Sequence, residues 1–248
     1  MHFLHPEFAR YAQALMDLTE YARDNNCSPE QLDEIVSESS DWSEAFAWAM
    51  SVLMNNRVTG LAGSAFGVPF LNPDICAKFV TEAVRLGDEY GHTPNPDEEP
   101  AYQIPEIVLK HVAPDIHEKV SDLVQYLNIW FMLIYQTTPK SISSIQFAKY
   151  EPDGTGNGNW HIDEDSDFTA VVSLAPEMFE GGGTDIMVSP VEYMSVPPLP
   201  AGYALLMNGK QIRHRGRQVT SGVRHLLVFW LDSLDDSDDV GVCESQTE

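Results

Sequence analysis

The spacing of apolar residues divides the chain into a helical first half and a β-rich second half. Over residues 7–56, apolar side chains recur every three or four positions, as on one face of a helix. Ser28-Pro29-Glu30-Gln31 combines a capping box with proline in the first turn and predicts a helix start. Asp41-Trp42-Ser43-Glu44 predicts another before residues 45–53. We therefore expect a helical N-terminal extension over residues 1–66, with the small residues of 61–69 as a linker.

Two more helices are predicted before the pattern changes. Asn72-Pro73 opens the first, whose apolar face carries Ile75, Phe79 and Val80. A polar, proline-containing loop is expected over residues 91–105. The second helix is expected as one long amphipathic segment from residue 114 to about 135.

Short β-rich segments replace the helical pattern after residue 139. They cover residues 142–150, 168–174, 184–188, 191–196, 203–207 and 224–231, and glycine or proline separates them. Many short strands at regular spacing are typical of a sandwich or barrel, here a jelly roll. The predicted fold class is α+β with a mainly β core, a jelly roll clad by helices, in a domain spanning residues 67–232.

Composition limits the partners and the compartment. The chain has 248 residues and a formal charge of −24, which disfavours direct nucleic-acid binding. Such a charge would attract a basic partner, and it fits a highly soluble or halotolerant surface equally well. Residues 233–248 are acidic and predicted to be a disordered tail. The three cysteines are scattered, and neither a secretory signal nor a membrane-spanning segment is visible. A reducing, cytoplasmic location is expected.

Two histidines and one aspartate are the main candidate for a metal site. His161 and Asp163 are two positions apart, so at the end of a strand their side chains leave from one face. Alone, this pair also fits an acidic surface turn, and a lone His214 also fits a solvated histidine. In a jelly roll, however, their two segments are neighbours at one open end of the barrel. Two imidazoles and a carboxylate then suit a ferrous ion with positions left for a co-substrate and dioxygen.

Arg224, at the start of the last predicted strand, is the candidate for binding a carboxylate. Its guanidinium stays charged and donates bidentately, which suits the distal carboxylate of 2-oxoglutarate. A charged residue at the mouth of a strand more often stays at the rim or pairs with an acid, so Arg224 gains this role only together with the metal-site residues. Tyr150 and Ser173 could each donate a hydroxyl to the same co-substrate.

Several segments resemble the Fe(II)/2-oxoglutarate-dependent dioxygenases, most of all the catalytic domain of procollagen lysyl hydroxylases, with prolyl 4-hydroxylases less similar. The likeness covers about residues 67–232 and is most specific from residue 143 onward. The matched segments are Phe147-Ala148-Lys149-Tyr150, residues 168–174, Phe179-Glu180-Gly181-Gly182-Gly183-Thr184, residues 200–206 leading to His214, and residues 219–224.

This resemblance implies a double-stranded β-helix in which His161, Asp163 and His214 hold Fe(II). It also implies that 2-oxoglutarate chelates the iron while Arg224 binds its far end. The implied reaction hydroxylates an aliphatic C–H bond, consumes dioxygen and releases succinate and carbon dioxide, with ascorbate left open as a further cofactor. Asp163 favours hydroxylation over halogenation, because the halogenases of this superfamily have a small residue there.

The substrate is less defined than the chemistry. The glycosyltransferase domains and secretory signal of animal lysyl hydroxylases are not seen, which counts against collagen. A peptide or a free amino acid is expected, with lysine favoured and a basic substrate compatible with the negative charge. Hydroxylation of proline in a protein is the alternative. A protein of a different class is also compatible with the sequence, namely a non-catalytic, metal-binding jelly roll that serves as an interaction module. Oligomerisation is compatible with an enzyme and with such a module.

Overall fold

All α-helices of the described residues lie before residue 136. The structure is a computed structural model that describes residues 2–37, 39–94 and 104–234. The helices are α1 (Pro6–Asp24), α2 (Pro29–Val36), α3 (Ser40–Asn55), α4 (Pro73–Tyr90), α5 (Leu109–Val112), α6 (Pro114–Ser121) and α7 (Val124–Tyr135). None of these helices has the length and apolar content needed to cross a bilayer.

The helix starts predicted at Ser28 and Asn72 are confirmed by capping contacts, whereas α3 begins one residue before Asp41 and has no side-chain cap. The Ser28 hydroxyl accepts a hydrogen bond from the Gln31 amide at 3.3 Å, and the Gln31 side chain accepts one from the Ser28 amide at 2.8 Å. At α4, the Asn72 side chain accepts a hydrogen bond from the Asp74 amide at 2.9 Å. Both caps satisfy amides that the first helical turn leaves without a partner.

The prediction of one helix from 114 to about 135 is wrong, because α6 ends at Ser121 and α7 begins at Val124. Between them the Leu123 amide donates to the Val120 carbonyl, and the Tyr126 amide donates to the Leu123 carbonyl, both at 3.0 Å. These bonds reach back three residues instead of four, so the backbone tightens and the regular α-helix is interrupted.

The strands of the described residues form three antiparallel sheets. They are β1 (Arg57–Gly60), β2 (Gly63–Pro69), β3 (Thr93–Pro94), β4 (Pro105–Val108), β5 (Ser141–Tyr150), β6 (Phe168–Ser173), β7 (Phe179–Gly181), β8 (Thr184–Ser189), β9 (Glu192–Val196), β10 (Tyr203–Met207), β11 (His214–Gly216), β12 (Val219–Gly222) and β13 (Arg224–Asp232). The large sheet has the order β1-β2-β10-β6-β13-β5-β4-β3, a smaller sheet has β11-β8-β9, and β12 pairs with β7.

The strand predictions after residue 139 are confirmed by β5, β6, β8, β9, β10 and β13, which overlap the six expected segments. The predicted loop 91–105 includes β3, and its residues 95–103 lie outside the described residues. Of the predicted acidic tail, residues 235–248 also lie outside them. The α+β class with an antiparallel β core is therefore confirmed, whereas the jelly roll stays a prediction.

The predicted linker over residues 61–69 is wrong. Residues 63–69 form β2, which pairs with β10 inside the large sheet, for example Pro69 with Tyr203. The small residues of this segment allow close packing instead of flexibility. A Cβ at Gly67 would lie 3.4 Å from the Leu199 side chain, and Ala65 is fully buried in the hydrophobic cluster that Leu199 packs against.

The large sheet has one face toward the helices and one toward the smaller sheet. Side chains alternate between the two faces of a strand. Phe147, Val172 and Phe229 belong to the main hydrophobic core with residues of α1, α3, α4 and α7. On the other face, Leu205 packs with Ile186 of the smaller sheet. The space between the two sheets contains the candidate site.

We predict that Phe8→Ala destabilises the whole chain. Phe8 of α1 is fully buried and lies 5.2 Å, ring to ring, from Trp130 of α7. Truncating a buried phenylalanine costs about 3–5 kcal/mol, so urea unfolding should show a loss of that size. Phe3→Ala is the control, since Phe3 is 45% exposed. Equal unfolding free energies for the two variants would show that α1 does not belong to the core.

Candidate metal centre

A backbone bridge holds His161 and His214 opposite each other. The His161 amide donates to the His214 carbonyl at 3.0 Å, and the His214 amide donates to the His161 carbonyl at 2.9 Å. Their ring centroids are 4.5 Å apart. His214 begins β11, whereas His161 lies outside the named strands. The two imidazoles therefore meet through this bridge, and both line the cavity between the sheets.

The hydrogen bonds of both imidazoles favour the tautomer that leaves Nε2 available to a metal. His161 Nδ1 lies 2.8 Å from the Asn159 carbonyl, and His214 Nδ1 lies 3.0 Å from the Ile212 carbonyl. A carbonyl only accepts, so each Nδ1 carries the proton and each Nε2 keeps its lone pair. Burial lowers the pKa of His214 more than the nearby Asp163 carboxylate raises it, which favours the neutral imidazole.

Asp163 completes the group from a buried position. Its amide donates to the Gly209 carbonyl at 3.0 Å, and its Oδ2 accepts from the Thr169 hydroxyl at 2.6 Å. A Cβ at Gly209 would lie 2.5 Å from that hydroxyl and 2.9 Å from the Asp163 Cβ, so glycine leaves the space that the carboxylate needs. Burial acts to raise the pKa of Asp163, but a positive charge on His214 or His161 and the hydrogen bond from Thr169 lower it below its usual value. The carboxylate is therefore ionised.

The three side chains fit one metal ion. Asp163 Oδ1 lies 3.4 Å from His161 Nε2 and 3.8 Å from His214 Nε2, and one ligand atom of each residue lies within 4.8 Å of the other two. Donors that bind one ion at right angles at about 2.1 Å are separated by roughly 3 Å, so small rotations bring these atoms into place. Two histidines and one carboxylate on one face are the ligand set of non-heme Fe(II) oxygenases.

Arg224 is a buried cation on the same cavity. It lies at the start of β13 and is 6% exposed. Its Nη1 donates to the Gly183 carbonyl at 2.8 Å, and its guanidinium lies 5.2 Å from the centre of the Tyr150 ring. Burial lowers the pKa of Arg224, yet no carboxylate of the described residues forms an ion pair with it. A buried guanidinium without a counter-ion favours the binding of an anion.

Tyr150 and Ser173 differ in how well they fit the predicted role. Tyr150 lines the cavity beside Arg224, and a Cβ at Gly216 would lie 2.6 Å from its hydroxyl, so that glycine makes room for it. Ser173 lies with Arg224 along a smaller adjoining cavity, and its hydroxyl donates to the Leu199 carbonyl at 2.9 Å. Tyr150 is therefore better placed than Ser173 to reach a bound anion.

These groups line one cavity that opens to solvent, and its space is about 510 Å³ when the open mouth is included. Apolar side chains of the large sheet, among them Ala148, Leu226 and Val228, form much of its wall. Polar and ionisable side chains from both sheets and from the segment between β5 and β6 also line it, and they are Glu106, Gln146, Tyr150, His161, Asp163, Thr169, Thr184, His214 and Arg224.

Several of these contributors were not predicted from the sequence. Thr169 and Gly209 position Asp163, and Gly183 provides the carbonyl for Arg224. The run Gly181-Gly182-Gly183 was part of the family likeness, and all three residues have positive φ, which glycine adopts most readily. Glu106 follows the loop predicted over residues 91–105, in a segment for which no element was predicted, so nothing indicated that it faces the cavity.

We predict that Thr169→Val weakens metal binding without preventing folding. The change keeps the shape of the side chain and removes the hydrogen bond to Asp163 Oδ2. Loss of a group that orients a metal ligand typically costs about 10–100-fold in affinity. Anaerobic Fe(II) titration would measure this, with the exposed Thr59→Val on β1 as the control. An unchanged affinity for Thr169→Val would show that Asp163 does not need this contact.

Comparisons with known proteins support the fold. The sequence matches no protein-family model, and no curated protein sequence is significantly similar to it. The non-heme α-ketoglutarate-dependent epimerase SnoN from nogalamycin biosynthesis is similar with a TM-score of 0.57 and 16% identity, over 76% of this chain and 83% of that one. A 2OG-Fe(II) oxygenase-family oxidoreductase from Burkholderia pseudomallei has a TM-score of 0.52 and 16% identity, over 69% and 86%.

A prolyl hydroxylase from Trichoplax adhaerens, solved with a fragment of hypoxia inducible factor, is also similar. Its TM-score is 0.53 at 12% identity, over 84% of this chain and all of that one. Identities this low show a shared fold and do not by themselves transfer an activity. The chain therefore has the fold of the 2OG-Fe(II) oxygenases, with a candidate metal centre and a buried arginine in the cavity between its sheets.

Proposed function

We propose that this chain is an Fe(II)- and 2-oxoglutarate-dependent dioxygenase that hydroxylates an aliphatic C–H bond of a peptidyl or free amino acid. One observation carries the proposal: His161, Asp163 and His214 share a cavity with Arg224, a buried cation that forms no ion pair with a described carboxylate. The fold shared with 2OG-Fe(II) oxygenases agrees with this assignment.

Each side chain has a stated task in this proposal. His161 and His214 bind Fe(II) through Nε2, and Asp163 binds it through Oδ1, while Thr169 holds the other carboxylate oxygen. Arg224 binds the distal carboxylate of 2-oxoglutarate, with Tyr150 beside it and Ser173 as a weaker candidate. Iron with 2-oxoglutarate supplies the oxidising chemistry, and the products are succinate, carbon dioxide and the hydroxylated substrate. The apolar wall of the cavity limits the access of water.

Lysine is the proposed substrate residue, in keeping with the likeness of this sequence to lysyl hydroxylases. Hydroxylation of proline is the alternative, and the Trichoplax prolyl hydroxylase with its bound peptide fragment is a specific reason to test it. We place the activity in the domain over residues 67–232, within a jelly roll. The N-terminal helices contribute to its hydrophobic core, and ascorbate is a candidate accessory cofactor.

Anaerobic spectroscopy tests this function directly. Adding Fe(II) and 2-oxoglutarate together should produce a weak visible metal-to-ligand charge-transfer band, and either component alone should not. A native protein that gives no band would refute the assignment. Succinate release with lysine-containing and proline-containing peptides then ranks the two substrate classes.

A further inference from the structure

The proposed function assigns a task to most, but not all, of the ionisable groups that line the cavity. Among the described residues that line it, His161, Asp163 and His214 are assigned to the metal, and Arg224 and Tyr150 to the co-substrate. Glu106 has no assigned task, and it places an acid on a wall that also carries the apolar side chains of Ala148 and Leu226.

Strand pairing directs Glu106 toward this cavity. On β4, Glu106 pairs with Ala148 of β5, and Ala148 pairs with Leu226 of β13. Residues directly opposite on neighbouring strands point to the same face of a sheet. Ala148 and Leu226 both line the cavity, so Glu106 faces the same space. Its position on the wall thus follows from the register of the sheet.

Glu106 is held in place and can still accept further hydrogen bonds. It is half-buried and already interacts with other groups of the protein. An ionised carboxylate has about four lone-pair sites, so such an interaction does not exhaust its capacity. A cationic donor entering the cavity can therefore bind to it with a charge-assisted hydrogen bond.

The rim near the metal centre carries the same sign of charge. Glu164 and Asp165 directly follow the candidate ligand Asp163, are exposed, and form no ion pair with the described residues. Nearby cations are mostly neutralised, since Lys210 pairs with Asp167 and Asp232, and both Arg215 and Arg217 pair with Asp185. Arg213 is exposed and also forms no ion pair with the described residues, so two acids stand against one cation among these groups. An approaching cation is thus favoured over an anion.

We propose that the substrate presents a cationic amine to the cavity and that Glu106 is the residue that receives it, which makes Glu106 the determinant of substrate class. This inference rests on the proposed function and deepens it. The side-chain ammonium of lysine, in a peptide or as the free amino acid, has the required charge and three donors. A prolyl ring in a peptide is neutral and has no N–H to donate, so it gains no charge-assisted hydrogen bond from this carboxylate.

Equilibrium binding tests the proposal without requiring turnover. The protein is loaded anaerobically with Fe(II) and 2-oxoglutarate and titrated with L-lysine and a set of lysine-centred peptides. The same peptides with norleucine or N6-acetyl-lysine at the centre are the neutral probes. We expect the native protein to bind lysine probes at least about tenfold more tightly, and Glu106→Gln to weaken that binding about 10–100-fold while leaving the neutral probes unchanged.

Matched variants separate the effect of this carboxylate from the loss of any negative charge. Glu192→Gln removes the same charge from an exposed position on β9, outside the cavity, and should not alter lysine binding. Glu106→Asp should restore part of it. Each variant should keep the charge-transfer band, since Glu106 is assigned to neither the metal nor the co-substrate.

Two results would overturn the proposal, and they differ from failure of the proposed function. Lysine probes that bind no better than their neutral counterparts would show that the cavity does not select a cation. Equal effects of Glu106→Gln and Glu192→Gln would show that Glu106 has no specific role. In both cases the charge-transfer band would remain, whereas its absence in the native protein would refute the dioxygenase assignment itself.

Discussion

His214→Ala is expected to abolish specific iron binding while leaving the fold intact. The imidazole is buried, faces Asp163 Oδ1 through Nε2 and provides one of only two nitrogen donors in the proposed ligand set. Because the loss of a merely supporting group already costs about 10–100-fold in metal affinity, removal of a ligand should cost more. Anaerobic Fe(II) titration against a competing chelator measures the change, and the charge-transfer band with 2-oxoglutarate should disappear.

The backbone geometry makes this variant informative. His214 is joined to His161 by two main-chain hydrogen bonds, which do not involve the imidazole. Alanine therefore keeps the bridge that brings the two segments together, and circular dichroism should remain native. His111→Ala is the matched control, because His111 is exposed and lies outside the cavity. Native iron affinity in His214→Ala would remove His214 from the proposed site.

The residues predicted for the metal from the sequence are the ones that the fold brings together. Their identification depends on side-chain type and chain order, both of which are visible without coordinates. The residues that position these metal ligands cannot be identified from side-chain type and chain order. Thr169 and Gly209 meet at Asp163 only because β6 and the segment after β10 are adjacent, and glycine matters there through the Cβ that it lacks.

The fold was predictable where periodicity was strong and less so where packing decides the local structure. The six long strands after residue 139 follow from alternation and turn residues, as do the capped helix starts at Ser28 and Asn72. β2 was mistaken for a linker, because small residues that allow close sheet packing also occur in flexible segments. β4 gave no local signal, and its pairing with β5 is a long-range contact.

Arg224→Met is expected to remove 2-oxoglutarate binding with little loss of stability. The buried guanidinium is the anion-binding group of the proposed site, and removing one member of a buried charge pair costs about 2–5 kcal/mol of binding free energy. That corresponds to a dissociation constant for 2-oxoglutarate raised roughly 30-fold to several thousand-fold. Arg224→Lys should restore only part of the affinity, because an ammonium keeps the charge and loses the planar pair of donors. Arg213→Met, at an exposed position, is the control.

The stability of the free protein distinguishes a binding role for Arg224 from a structural one. Without an anion, Arg224 contacts a neutral carbonyl and an aromatic ring among the described residues, so its desolvation is incompletely compensated. Replacing buried charges with apolar side chains of similar volume is often neutral or stabilising by about 1–4 kcal/mol. Urea unfolding of Arg224→Met without co-substrate should therefore give an unfolding free energy equal to or above that of the native protein. A large loss of stability with unchanged 2-oxoglutarate binding would instead assign the guanidinium to holding the glycine loop at Gly183. If Arg224→Met keeps its stability but loses 2-oxoglutarate binding, the role of this buried cation is to bind the co-substrate.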